Sequence, residues 1–237
     1  MRRRPLLTVA VLGMLLLAGC AGLASSPATT SDYPETVSIT DDRINRHAAA
    51  LNDTSFTTVI AITQAGETTS RIEYQIEPDA QQYLQHSMNS FANTTIYTDG
   101  NGTQQRFRLS NQTQVSQSDQ AVNVTAARRG VQPIATYLSP NATFERNGTH
   151  TFDGDEVMAY ETTGTDALRQ SFRNSTGANT TVTDFSGTVA VDDRGRIRQF
   201  TGEFQYTQDE QTVETTLTAT VRQLNTTDVE EPDWVAN

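Results

Sequence analysis

From Val213 to Gln223 the chain reads VETTLTATVRQ, with Val213, Leu217, Ala219 and Val221 alternating against Glu214, Thr216, Thr218, Thr220 and Arg222. A period of two places the first set on one face of an extended strand and the second on the other, a separation no helix can make. One face must be dry and the other wet, as in an antiparallel sheet covered on a single side.

The period recurs along the chain. Phe56, Thr58, Ile60 and Ile62 share one face, Gly66-Glu67 marks a turn, and Ile72, Tyr74 and Ile76 share the face of the next strand. Thr95 to Gly102, TIYTDGNG, ends in Asp-Gly and Asn-Gly turn dipeptides, and Arg106 to Leu109 makes the return of a hairpin. Val157 to Thr162 reads as a further strand, and Phe185 to Val191 turns at Asp192-Asp193-Arg194-Gly195 into Ile197 to Tyr206.

Helical spacing appears in three short stretches. Thr40-Asp41-Asp42 caps a stripe of Ile44, His47, Ala48 and Leu51. Val131, Ile134, Ala135 and Leu138 follow, with Pro133 at a helix start and Pro140 beyond its end. Thr165-Asp166 caps a third, with Leu168 and Phe172 one turn apart and a stop at Asn174 to Gly177. The expected fold is α+β but mainly β: a twisted antiparallel sheet of seven or more strands, covered on one face by two or three helices.

The N-terminus carries a different message. Three arginines, an apolar run from Leu6 to Ala18 broken only by Thr8 and Gly13, and small residues up to Cys20 give the order of an export signal. The run is shorter than the roughly 20 residues a bilayer core requires. Leu17-Ala18-Gly19-Cys20 closely resembles the lipobox of prokaryotic lipoproteins, in which the thiol receives lipid and the chain is cut before it. Ordinary secretory cleavage with an incidental thiol is the alternative. Arg3-Arg4-Pro5-Leu6-Leu7 fits the core of a twin-arginine signal. Residues 1–19 are thus read as signal peptide, 20–36 as lipidated cysteine and a Ser/Pro-rich tether, and 37–237 as one domain.

Across its 237 residues the chain has 28 acidic side chains against 17 basic ones, and every basic one is arginine. A net charge of −11 without a basic face disfavours a nucleic-acid partner. An acidic, lysine-free, threonine-rich composition looks like that of an extreme halophile's protein, whose self-repulsion salt screens. Absence of lysine also removes P-loop, Schiff-base and S-x-x-K chemistry.

Ten of the thirteen asparagines open an N-x-S/T acceptor: Asn52, Asn93, Asn101, Asn111, Asn123, Asn141, Asn147, Asn174, Asn179 and Asn225. Chance gives about three, so surface glycosylation is expected. His47, His86 and His150 form no helical ligand pair, and no metal or other cofactor is expected. Asp153-Gly154-Asp155-Glu156, Asp192-Asp193 and Glu230-Glu231 fall short of a calcium loop and read as solvated turns. With no G-x-S-x-G elbow and no G-x-G-x-x-G after a strand, the expected activity is non-catalytic.

Lipobox, tether, early helix, YTDGNG hairpin, central helix and VAVDDRGRIRQF hairpin together resemble haloarchaeal lipoproteins, whose layout is similar to the LolA and mycobacterial LppX/LprG lipoprotein carriers. The resemblance implies a half-barrel sheet wrapped around helices, with acyl chains held between them. On that reading the protein is lipid-anchored to the outer face of the cell membrane and carries a lipid or other apolar ligand. Ile60, Ile62, Ile72, Tyr74, Phe204 and Leu217 are the candidate lining. The alternative is a structural or interaction glycoprotein of the halophile envelope whose core is simply filled.

Overall fold

A computed structural model describes residues 33–122, 124–175, 180–208 and 211–235. The export signal, the lipobox with Cys20 and most of the tether lie outside these residues. Residues 31–237 form one compact unit.

Among the described residues, twelve strands make a single open, curled antiparallel sheet. After the short β1 (Thr36–Val37) and helix α1 (Asp41–Ala49), six strands run as a meander: β2 (Phe56–Gln64), β3 (Glu67–Glu77), β4 (Gln82–Asn89), β5 (Ala92–Thr98), β6 (Thr103–Leu109) and β7 (Gln112–Ser118). A connection through α2 (Val124–Arg128) and α3 (Gln132–Tyr137) returns the chain to the far side of the sheet. There a second meander begins with β8 (Phe144–Phe152) and β9 (Asp155–Thr163). It continues through a 3-10 turn (Thr165–Ala167), α4 (Gln170–Ser175), β10 (Thr180–Val191), β11 (Ile197–Gln208) and β12 (Gln211–Arg222). The spatial order is β1-β8-β9-β10-β11-β12-β2-β3-β4-β5-β6-β7, so β12 pairing with β2 stitches the two meanders together.

The expected alternation in β12 sets the inner face. Leu217, Ala219 and Val221 are buried there, and in register they lie beside Ile62, Ile60 and Thr58 of β2. On the other side Leu217 and Ala219 meet Gly202 and Phe200 of β11, and the buried Arg198, just beyond the last pair, donates from Nε to Val221 O. Four strands were missed in the sequence: the two-residue β1, and β4, β7 and β8, rich in Gln, Asn, Ser and charged residues, whose stability comes from pairing rather than from an apolar stripe.

Helix α1 forms where expected. The Thr40 side chain accepts a hydrogen bond from the Arg43 N–H, Asp41 and Asp42 occupy the first turn, and Arg46 and His47 the last. Ile44, His47 and Leu51 are buried. The third expected helix is broken. Instead of running on from Thr165, the chain makes a 3-10 turn, extends at Leu168 and bridges to Leu138, both leucines being buried. Arg169 N–H donates to Tyr137 O (2.8 Å), Ser139 N–H to Ala167 O (2.8 Å), and Arg169 Nε to Ala135 O (3.0 Å). Ser139 precedes Pro140, which favours extended backbone and opens this pairing. The result ties α3 to α4 and sets Tyr137 and Phe172 over the sheet.

The two faces are less distinct than alternation implies. After β12 the chain crosses the outer face, anchored by Asn225 N–H to Ser55 O (2.8 Å) and by the Thr57 hydroxyl to Gln223 Oε1 (2.9 Å). Val229 there joins Leu84 and Tyr97 in a small second core, and Arg106 lies 5.0 Å from the centre of the Trp234 ring.

Candidate functional site

Gly187 of β10 and Gly202 of β11 are paired in register, with Leu217 and Ile62 continuing the row. Without side chains these two positions form a trough, and aromatic rings lie down into it. A Cβ on Gly187 would come within 2.8 Å of the Phe185 ring and 3.2 Å of Phe144; one on Gly202 would come within 3.0 Å of Phe200 and 3.3 Å of Phe204. Glycine here serves close packing.

Above the trough, rings from separate elements converge. Phe204 sits 5.0 Å from Phe185, 5.7 Å from Phe172 and 6.2 Å from Tyr137, and Tyr137 meets Phe172 edge-on at 5.0 Å. Such edge-to-face contacts suit the ring quadrupoles. Between this roof and the sheet is a cavity of about 340 Å³, lined by Ile62, Val182, Phe204 and Leu217 below, Tyr137 and Phe172 above, and Thr180, Tyr206 and Thr215 at one side. None of these nine side chains is charged. Two of its polar groups partner each other: Gln64 Nε2 donates to the Tyr206 hydroxyl (2.9 Å), and the Thr215 hydroxyl lies 3.2 Å from it. Volume and lining match sites that take small apolar molecules.

Of the six candidate lining residues, Ile62, Phe204 and Leu217 meet at this cavity. Ile60 is buried one row away, against Ala219 and Ile72. Ile72 and Tyr74 lie on β3, and Tyr74 contacts Tyr83 (ring centres 6.2 Å) rather than the cavity. Sharing an inward face was not enough, because the cavity occupies only the β10-β11-β12-β2 part of that face. Tyr137, Phe172, Thr180, Val182, Tyr206 and Thr215 were missed. Tyr206 was legible as an inward strand position, whereas Val182 lies beyond the strand read from Phe185 and is turned inward only by the register shift between Val182 and Asp184, and Tyr137 and Phe172 reach the site only through the α3–α4 tie.

The expected solvated turn at Asp192-Asp193 is half wrong. Asp193 is exposed, but Asp192 is buried. Its Oδ1 accepts from the Arg194 N–H (3.1 Å) and the Arg196 N–H (2.9 Å), and its Oδ2 from Arg196 Nε (2.6 Å). Beside it the wholly buried Arg198 guanidinium contacts Asp155 (2.6 Å), Asp153 (3.5 Å) and Asp192 (3.7 Å), with Nε donating to Val221 O (3.0 Å). These carboxylates are matched by arginines. The visible signal was Arg198 at an inward position of a strand with Arg196 in the turn just before it, where an unpaired buried charge is prohibitive. Asp153-Gly154 itself is a hairpin turn with both residues at positive φ (53° and 87°).

The three histidines sit on separate elements. His47 is buried on α1, its Nδ1 accepting from the Ile197 N–H at 3.1 Å, and burial, with Arg196 adding to it, pushes its pKa from 6.5 down to about 3. His86 contacts the Thr95 hydroxyl (3.2 Å) on the outer face of β4, and His150 is exposed on β8. Among the described residues no three His, Cys, Asp or Glu side chains are placed to share a metal ion.

Seven acceptor asparagines, Asn52, Asn93, Asn101, Asn111, Asn141, Asn147 and Asn225, are exposed. Asn123, Asn179 and the side chain of Asn174 lie outside the described residues, as do Arg3, Arg4, Leu17, Ala18, Gly19 and Cys20.

No curated protein matches the chain. Two solved structures resemble it at a distance. MucB in complex with MucA(peri) is 13% identical with a TM-score of 0.28, covering 83% of this chain; this chain spans 58% of that one. The Pseudomonas aeruginosa MucA/MucB complex is 11% identical with a TM-score of 0.21, covering 76% of this chain and 93% of its own. Superposition that loose bears on neither cavity nor ligand. The sequence itself, over residues 5–237, matches the model of a family of unknown function, and the chain therefore belongs to DUF7537.

Proposed function

We propose that this protein is an exported lipoprotein, held by lipid on Cys20 at the outer face of the cell membrane, that binds the hydrocarbon part of an uncharged ligand between its sheet and its helices. The observation that carries the binding half is the cavity of about 340 Å³ with nine uncharged lining residues. A charged headgroup has no counter-ion among these residues, whereas a methylene chain loses nothing by entering. The observation behind the address is the signal-like N-terminus closing on the single cysteine. Acidic, lysine-free composition supports a high-salt setting, and the exposed acceptor asparagines support glycosylation.

Straight-chain alcohols test the cavity. Each buried methylene contributes about 0.8 kcal/mol, so calorimetry on the full-length protein in molar salt should show affinity rising about fourfold per added carbon until the cavity is full. Thr215→Trp, filling the cavity from a half-buried position, should abolish binding while leaving cooperative unfolding intact. Absence of saturable binding, or equal binding by the variant, would mean a filled-core envelope protein instead. The address is tested separately: Cys20→Ser should release the protein from native membranes, and an unmodified thiol in the wild type would refute anchoring.

A further inference from the structure

The sheet has two edges, and they are treated differently. On one, β8 pairs with β1 at Phe144 and Glu145, and further along a register shift between Arg146 and Gly148 distorts the strand, with Gly148 at φ 113° and the acceptor Asn147 exposed. Bulges and covering segments are how proteins keep an edge from recruiting other strands. On the other edge, β7 has no such device. Gln112 to Ser118 pair with β6 without a register shift, and all seven residues are exposed. None is Pro, Gly or charged.

We propose that β7 is the docking edge for a second copy of this chain, added antiparallel about a two-fold axis through Val115. The sequence QTQVSQS is complementary to itself in that register: Gln112 meets Ser118 of the copy, Thr113 meets Gln117, Gln114 meets Ser116, and Val115 meets Val115. Each pairing is uncharged, and Val115, 53% exposed, gains an apolar neighbour directly opposite. Charge selects the place. In a chain of net charge −11, residues 103–118 contain no carboxylate and two arginines, Arg106 and Arg108, so two copies meet here without the repulsion that their other surfaces impose. The acceptor Asn111 lies in the β6–β7 turn, outside the seven paired residues. Because the β8 edge is obstructed, association is isologous and closes at two rather than running on as a fibre.

Cysteine cross-linking reads this directly, since the chain has only Cys20 to remove. Directly opposed residues in an antiparallel pair have Cα atoms about 4.5–5.5 Å apart, within reach of a disulfide. In the otherwise full-length Cys20→Ser protein, Val115→Cys should give a disulfide-linked dimer at least about tenfold faster than Thr149→Cys on the β8 edge. Sedimentation of the parent should show a concentration-dependent dimer. Val115→Lys, setting like charges face to face, should leave only monomer with unchanged circular dichroism, and Val115→Thr should keep the dimer. A parent that stays monomeric, larger polymers, equal cross-linking at 115 and 149, or a Val115→Lys dimer would each overturn the proposal.

Discussion

Acid should unfold this protein partly through His47, and the size of the effect follows from its surroundings. The ring is buried, its Nδ1 accepts the Ile197 N–H, and its pKa falls from 6.5 to about 3. A protonated Nδ1 cannot accept, and the neighbouring Arg196 repels the charge. Between pH 6.5 and 3 the unfolded chain therefore binds a proton that the native one refuses, so stability rises with pH through that window and is lost as pH falls. A full proton difference changes stability by about 1.4 kcal/mol per pH unit, and going from pH 7 to 4.5 should cost about 2–3 kcal/mol from this residue alone. Carboxylates titrate in the same range, so the measurement is a difference. Urea unfolding of the wild type and of His47→Gln, whose amide oxygen can still accept from Ile197, should be compared at pH 7, 5.5 and 4.5. The variant should lose less stability on acidification by that amount. Parallel curves for the two proteins would refute the neutral, buried assignment.

Gly187→Val should destabilise by about 1–3 kcal/mol in urea unfolding, because its Cβ position already lies against the Phe185 ring. Arg198→Met should cost about 3 kcal/mol, the lower end for a broken buried pair, since Asp155 is half exposed and can rehydrate. Val229→Asp should remove about 2 kcal/mol by opening the second core over Leu84 and Tyr97, read as a lower melting midpoint. Intact mass of protein from its native cell should exceed that of the lipidated polypeptide, and Asn52→Gln, Asn101→Gln or Asn147→Gln should each lower the excess by one glycan.

Where one face of an element is apolar and the other polar, local sequence suffices. Alternation in β12, the Thr40 cap of α1 and the Asp-Gly turn of the β5–β6 hairpin each express a choice made by neighbouring residues, and these fixed the mainly antiparallel architecture. The polar strands β4, β7 and β8 carry no such stripe, since their backbone groups are satisfied by partners far away in sequence. Half of the expected lining was legible for the same reason: inward facing can be read from period two, but which stretch of a curled sheet stays uncovered cannot.

The rest was decided by long-range contact. Leu168 leaves its helix because Leu138 offers burial, and that exchange brings Tyr137 and Phe172 over Phe204. Asp192 takes its partner Arg196 from its own turn, but the Arg198 guanidinium beside it is held by Asp153 and Asp155 of the distant β8–β9 turn. Sequence alone determined which residues prefer to avoid water and which turns reverse the chain; only tertiary structure determined where the avoided water leaves a cavity, because that depends on how separate elements fail to fill the space between them.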